Sequence, residues 1–271
     1  MENTGRQDGL LTEHGLSLYL ETGNHKILFD AGQTGTFAEN AKAMGVNLSE
    51  VDLAVLSHGH YDHSGGMERF LEENAKAPVY LSCHAFEPYY SGLIKYIGLK
   101  IYIGLNKSLR KCDRMILTGD KTSYPADDVV VLDQGLELHS CNAKEKRFEM
   151  NPYGLYRVEG GKKVPDDFRH EQYLLIREGE KKILISGCSH KGILNIVDWF
   201  RPDVLIGGFH FMKLDPDGKD RAVLEEAARV LKSYPTIYYT GHCTGQAQYE
   251  FLKERMGGQL HYLATGDTLI L

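Results

Sequence analysis

Apolar and polar residues alternate from Leu16 to Leu20 and return in Ile27-Leu28-Phe29, across the polar, glycine-containing stretch Thr22-Gly23-Asn24-His25-Lys26. Alternation with period two on both sides of such a stretch predicts a β-hairpin. Phe37 to Met44 changes to helical spacing and is closed by Gly45. The continuous apolar run Val51 to Leu56, interrupted only by Asp52, predicts a buried strand, and Gly66 to Ala75 carries Met67, Phe70 and Leu71 at helical spacing with Ser64 as the expected N-cap. Pro78 to Cys83 returns as a strand.

From about Phe86 to Asp167 the periodicity loosens. Tyrosines at 89, 90, 96, 102, 124, 153 and 156 are interspersed with glycines, and strand-like pieces stand out only at Val129 to Leu132 and Tyr153 to Val158. A connection this long inside a compact chain reads as an insertion serving as a lid or binding segment, whose aromatics suit a flat heterocycle. Regularity resumes with a second hairpin, Gln172 to Arg177 and Lys182 to Ser186, turning at Glu178-Gly179-Glu180-Lys181. Strands at Val204-Leu205-Ile206 and Ile237-Tyr238-Tyr239 then alternate with helices at Gly192 to Phe200, Arg221 to Lys232 and Gln246 to Met256, and Leu269-Ile270-Leu271 is expected as a last strand. Strands alternating with helices predict an α/β sandwich with its site along one edge. The 271 residues are read as a single domain with an insertion at about 86–167.

The chemistry concentrates where the third strand ends, in Ser57-His58-Gly59-His60-Tyr61-Asp62-His63-Ser64-Gly65-Gly66. Neutral imidazole nitrogens and carboxylate oxygens ligate Zn²⁺ and similar cations, and a catalytic ion needs several of them around an open position. His58 and His60 are two apart, so in an extended segment both side chains point the same way, while Asp62 and His63 fall where the chain turns into a helix and can serve a neighbouring ion. His190 and His242 each follow an apolar strand through a turn of small residues, as His58 does, and are the expected further ligands.

Composition narrows the reading. A net charge of −6 with a pI near 6.1 offers no basic face for displacing counterions from nucleic acid, so no nucleic-acid partner is expected and a small-molecule substrate is. No apolar leader follows Met1, and no run is long enough to span a membrane. Five scattered cysteines do not form a disulfide framework and suit a reducing compartment, so a soluble, cytoplasmic protein is expected.

The H-x-H-x-D-H run is the signature of the metallo-β-lactamase superfamily, which the chain resembles from about Glu13 onward. Three further segments, Ile185-Ser186-Gly187-Cys188-Ser189-His190, Gly207-Gly208-Phe209-His210 and Thr240-Gly241-His242-Cys243-Thr244-Gly245, resemble the branch that carries the name 7,8-dihydropterin-6-methyl-4-(β-D-ribofuranosyl)-aminobenzene-5′-phosphate synthase. The resemblance implies a four-layer αββα sandwich with one or two metal ions between the edges of two sheets. The expected ions are two Zn²⁺, with Mn²⁺ or Fe as alternatives. The implied chemistry is hydrolysis: metal-activated hydroxide attacks a phosphate ester, phosphodiester or cyclic ester of a small pterin- or nucleotide-like molecule. The alternatives are synthase-type transfer and iron-dependent oxidoreduction, the di-iron form of which has glutamate where this chain has His60. His58, His60 and His190 are expected to hold one ion and Asp62, His63 and His242 the other, with Asp62 also orienting the nucleophile or taking its proton. Asp30, at a strand end on the same side, is an expected hydrogen-bond partner of a ligand. Cys188 falls where many members carry a bridging aspartate, and His170 where others place a third histidine, so both are alternative ligands. His210 is expected to meet the substrate or to support a ligand from outside, with ligation and proton shuttling as the alternatives.

Overall fold

The computed structural model describes residues 1–92, 101–119 and 129–271. In chain order the strands begin with β1 Leu18–Glu21, β2 Lys26–Phe29, β3 Leu53–Val55, β4 Val79–Ser82, β5 Tyr89–Ser91, β6 Ile101–Tyr102, β7 Met115–Thr118 and β8 Val129–Asp133. They continue with β9 Leu136–His139, β10 Leu155–Glu159, β11 Lys162–Pro165, β12 Tyr173–Glu178, β13 Lys181–Ile185, β14 Val204–Ile206, β15 Ile237–Thr240 and β16 Leu260–Tyr262. The helices are α1 Thr36–Ala43, α2 Tyr61–Ser64, α3 Met67–Glu73, α4 Ile193–Phe200, α5 Arg221–Lys232 and α6 Gln246–Met256.

A five-stranded sheet in the order β1-β2-β3-β4-β7 faces a seven-stranded sheet in the order β16-β15-β14-β13-β12-β9-β8. The side-chain alternation of each strand assigns its two faces to two different cores. Ile27 and Phe29 of β2 and Leu53 and Val55 of β3 point between the sheets, where they meet Leu174, Ile176, Ile183, Ile185, Val204 and Ile206. Leu28 and Ala54 point the other way, onto Phe37 and Ala38 of α1 and Met67 and Phe70 of α3. Leu175, Leu184, Leu205 and Tyr238 pack outward against α4, α5 and α6 through Ile196, Val197, Leu231 and Leu252. The result is four layers in the order α, β, β, α, so the fold class read from the sequence holds. Phe70 is completely buried in the first of these cores, and Phe70→Ala is expected to lower the urea midpoint by the equivalent of about 3–5 kcal/mol, a loss of transfer energy plus a residual cavity.

Neighbouring strands β2, β3, β4 and β7 are parallel, as are β13, β14, β15 and β16. Parallel strands deliver their carboxyl ends to one edge, where ligands bind in open α/β sheets. Asp30 follows β2, the histidine run follows β3, Cys188 to His190 follow β13, His210 follows β14 and His242 follows β15. Close backbone approach seals this edge. A Cβ added at Gly187 would lie 2.2 Å from Ser57 Oγ, so only glycine lets the β13 exit pack on the histidine run.

Three expectations change. Ser64 does not cap α3: it closes the short helix α2, its hydroxyl donates to the His60 carbonyl at 3.0 Å, and Gly66 occupies the cap position. The last strand is β16, whereas Leu269 to Leu271 form no strand and Ile270 is 99% exposed. The described part of the segment from Phe86 to Asp167 is also more regular than its pattern suggests. It gives β7 to the first sheet and β8 and β9 to the second, and β5, β6, β10 and β11 build a separate four-stranded sheet. On that sheet Tyr90 stacks on Tyr156 at 5.4 Å and Lys163 sits 3.8 Å over the Tyr156 ring, so these tyrosines pack on one another. Tyr96 and Tyr124 lie outside the described residues.

Candidate metal centre

The site is built from Asp30 outward. Its carboxylate is fully buried and accepts three hydrogen bonds, from Ser57 N–H at 2.7 Å, Ser57 Oγ–H at 2.7 Å and His63 Nδ1–H at 2.6 Å. Because the Ser57 hydroxyl spends its proton on Asp30, its oxygen accepts from His58 Nδ1–H at 2.8 Å. One carboxylate therefore holds the Nδ1 proton of two histidines, so that Nε2 is the nitrogen left to ligate, bare on His58 and freed on His63 when a cation takes the place of its proton.

The remaining groups converge on these two nitrogens. Ligand atoms of His58, His60 and His190 lie within 4.8 Å of one another. Among the described residues, His58 Nε2, His60 Nε2 and both ring nitrogens of His190 and His210 are buried without a hydrogen-bond partner. A buried polar atom left unpaired is costly, and a cluster of them aimed at one spot is the expected signature of a cation-binding position. Burial, reinforced by the neighbouring imidazoles, holds His58 and His190 well below the usual histidine range and His60 at about 3, so all three are neutral and able to ligate. His190 is kept in place by stacking on Phe168 at 4.4 Å and by Glu171, whose buried carboxylate accepts its backbone N–H at 2.7 Å.

A second convergence lies alongside. His63 Nε2 is 3.1 Å from His242 Nε2, and Asp62 Oδ2 is 3.5 Å from His242 Nε2 and 3.9 Å from His63 Nε2. Burial alone would raise Asp62, yet His63 and His242 outweigh it and hold the carboxyl far below its ordinary range. Burial likewise lowers His63, but the Asp30 and Asp62 carboxylates push it up to about 9. A place that pulls so strongly on a proton favours positive charge in general, and a divalent cation fits the same field. Cys188 lies between the two groups, its Sγ 3.2 Å from His63 Nε2 and within 4.8 Å of ligand atoms of His58, His190, His210 and His242. Burial pushes its thiol up.

One sequence candidate, His170, stands apart from the ligand positions, and another, His210, borders them with its ligand atom within 4.8 Å of those of Cys188 and His190. His170 is buried with both ring nitrogens engaged, Nδ1 accepting from Gly59 N–H at 2.8 Å and Nε2 facing Asp166 at 3.2 Å, so it braces the histidine run and has no nitrogen left for an ion. His210 stands at the rim, its ring 4.3 Å from His190 and 5.4 Å from Tyr153. Asp30, His210 and His242 all hold positive φ, 59°, 57° and 46°, a conformation that carries strain and clusters at functional sites. His14, which the sequence reading passed over, sits at the mouth with Nε2 3.4 Å from Asp62 Oδ2. Nothing in its local sequence marks it. A cavity of about 900 Å³ also opens between β1, α1 and residues 263–271, but none of these histidines lines it.

Fold and site together define the class: an αββα sandwich with histidines, a carboxylate and a thiol gathered at one sheet edge, where they could hold a metal ion. Residues 12–143 match the metallo-beta-lactamase superfamily. The chain is 30% identical over 244 residues to an uncharacterized protein of Methanocaldococcus jannaschii, covering 86% of this chain and 84% of that one. It is 29% identical over 262 residues to the 7,8-dihydropterin-6-methyl-4-(beta-D-ribofuranosyl)-aminobenzene-5′-phosphate synthase of the same organism, covering 90% and 85%. It superposes on the crystal structure of a metal-dependent hydrolase of the β-lactamase superfamily with a TM-score of 0.79 at 25% identity, over 100% of this chain and 96% of the other. With Zn²⁺-bound PqqB from Methylobacterium extorquens it shares the fold, at a TM-score of 0.54 and 11% identity over 94% and 87% of the two chains. The chain belongs to the metallo-β-lactamase superfamily, whose members generally bind divalent metals. No helix among the described residues is long and apolar enough to cross a membrane.

Proposed function

We propose that the protein is a metal-dependent hydrolase acting on a phosphate ester, phosphodiester or cyclic ester of a small molecule with a flat, pterin- or nucleotide-like ring. The observation that carries this reading is the pair of adjacent ligand groups, one of neutral buried imidazoles with unpartnered nitrogens and one built on a carboxylate in a field that favours a cation. In this reading His58, His60 and His190 hold one divalent ion and Asp62, His63 and His242 the other, with Cys188 in reach of both. Zn²⁺ is the expected ion and Mn²⁺ or Fe the alternatives. A cation held there supplies Lewis acidity, polarising an ester oxygen and lowering the pKa of water.

The protein's own groups do the rest. Asp62, with 13% of its side chain exposed at the mouth, is too weak a base to keep a proton and instead accepts a hydrogen bond that orients the attacking water. His210 carries two unpartnered ring nitrogens beside His190 and donates to a substrate oxygen. Tyr153, from the connection between β9 and β10, forms the wall against which a flat ring stacks.

A panel of chromogenic phosphomonoesters, phosphodiesters, lactones and β-lactams, assayed with Zn²⁺ or Mn²⁺, tests the reading. Turnover of one ester class that chelation abolishes is the expected result. No turnover of any of them would remove the hydrolase reading and leave synthase-type transfer, the second reading, which the 29% identity to the dihydropterin synthase favours.

A further inference from the structure

The segment ahead of β1 is polar and carries no motif, yet it reaches the metal centre through Asn3. Two of the contacts of this side chain fix which way its carboxamide points. Gly15 N–H donates to Asn3 Oδ1 at 3.3 Å, and Asn3 Nδ2–H donates to the His242 carbonyl at 3.4 Å. A backbone N–H cannot accept and a backbone carbonyl cannot donate, so oxygen and nitrogen of the amide cannot be exchanged.

The two remaining contacts are to imidazoles, and they follow. Asn3 Oδ1 lies 3.0 Å from His242 Nδ1, which must therefore carry its proton there. Asn3 Nδ2 lies 3.2 Å from His14 Nδ1, which must therefore accept. With a single ring proton each, the two rings are opposite tautomers. His242 presents a lone pair on Nε2 toward His63 and Asp62, whereas His14 presents an N–H from Nε2 toward Asp62 Oδ2 at 3.4 Å. Spacing alone would admit His14 as a ligand beside Asp62 and His242. The tautomer makes it a donor. Glu2, buried next to Asn3, accepts the His242 backbone N–H and so holds that residue at its positive φ.

We propose that Asn3 is a positioning residue of the metal centre, sorting two neighbouring imidazoles so that His242 ligates a divalent cation and His14 turns an N–H toward Asp62 Oδ2, the oxygen that also faces His63 and His242. The proposal rests on reading Asp62, His63 and His242 as one of the two cation positions.

The test is a chelator-competition titration with Zn²⁺ on the full chain, alongside Asn3→Leu, Asn3→Asp and His14→Ala. Wild type takes up two equivalents; uptake of none would overturn the metal reading itself and this proposal with it. Asn3→Leu, which keeps the volume but none of the four hydrogen bonds, weakens one equivalent roughly 10- to 100-fold and leaves the other unchanged, the usual size of effect when an outer partner of a ligand is lost. Asn3→Asp restores the acceptor for His242 and with it the affinity. His14→Ala leaves both affinities near wild type. Two equivalents bound at wild-type affinity by Asn3→Leu would overturn the proposal while leaving the metal reading intact. Histidine ¹H–¹⁵N correlation spectra of the Zn²⁺-loaded wild type provide a readout independent of variant folding: His14 is expected protonated on Nε2, moving to Nδ1 in Asn3→Asp. Protonation of wild-type His14 on Nδ1 would overturn the proposal.

Discussion

Alanine at His60 or at Asp62 is expected to lower ion-dependent turnover by about 10²- to 10³-fold, the scale on which removing a group aimed at developing charge is felt. The two substitutions reach this result from different sides. His60 contributes a neutral imidazole to the group with His58 and His190, and its Nε2 is buried with no partner. Asp62 contributes the carboxylate of the other group. For His60 the stability effect has the opposite character. In chelated protein the residue leaves a polar atom unsatisfied, so deleting it relieves a desolvation cost that offsets the cavity, and the unfolding free energy should stay within about 1 kcal/mol of wild type. Activity lost with stability kept is what a ligand predicts; a His60→Ala protein that turns over the same ester at the wild-type rate would remove it from the site. Urea unfolding in the presence of a chelator, and turnover with Zn²⁺ restored, read the two quantities separately.

What could be read from the sequence is what is local. His58, His60, Asp62 and His63 fall within six consecutive positions, so their spacing alone brings four ligating side chains near one point. Ile27 and Phe29 alternate with Leu28 because each strand feeds two cores, and that alternation survives in the sequence. The structure decides matters that depend on distant partners. Asn3 and His242 are 239 positions apart, and no pattern around either announces the contact. His170 has the residue type and the place of a ligand, and only the positions of Gly59 N–H and Asp166 reveal that its nitrogens are already engaged. β6 has two residues and β16 three, too short for a period to register, whereas Leu269 to Leu271 look like a strand but find no neighbour to pair with among the described residues.

Asp30 is where fold and site depend on the same atoms, and Asp30→Ala is expected to cost about 3–5 kcal/mol, the range for breaking a buried charged pair by removing one partner. Three donors, Ser57 N–H, Ser57 Oγ–H and His63 Nδ1–H, would remain buried without an acceptor. Backbone geometry adds to this, because Asp30 sits at φ 59°, where aspartate is tolerated and alanine costs roughly a further 1 kcal/mol. Against a total stability of about 5–15 kcal/mol for an ordinary domain, the variant would be marginal. Asp30→Asn separates the contributions: it tolerates the same φ and keeps an acceptor oxygen for Ser57 N–H, but its amide nitrogen, in the place of Oδ2, accepts from neither Ser57 Oγ nor His63 Nδ1. Once the Ser57 hydroxyl no longer has to donate to Asp30, His58 loses its fixed tautomer as well. Asp30→Asn should therefore fold with a smaller loss than Asp30→Ala yet bind Zn²⁺ more weakly at both positions, since His58 belongs to one group and His63 to the other. Unfolding and Zn²⁺ titration of the two variants check this, and wild-type Zn²⁺ affinity in Asp30→Asn would refute the idea that a single carboxylate orients both histidines.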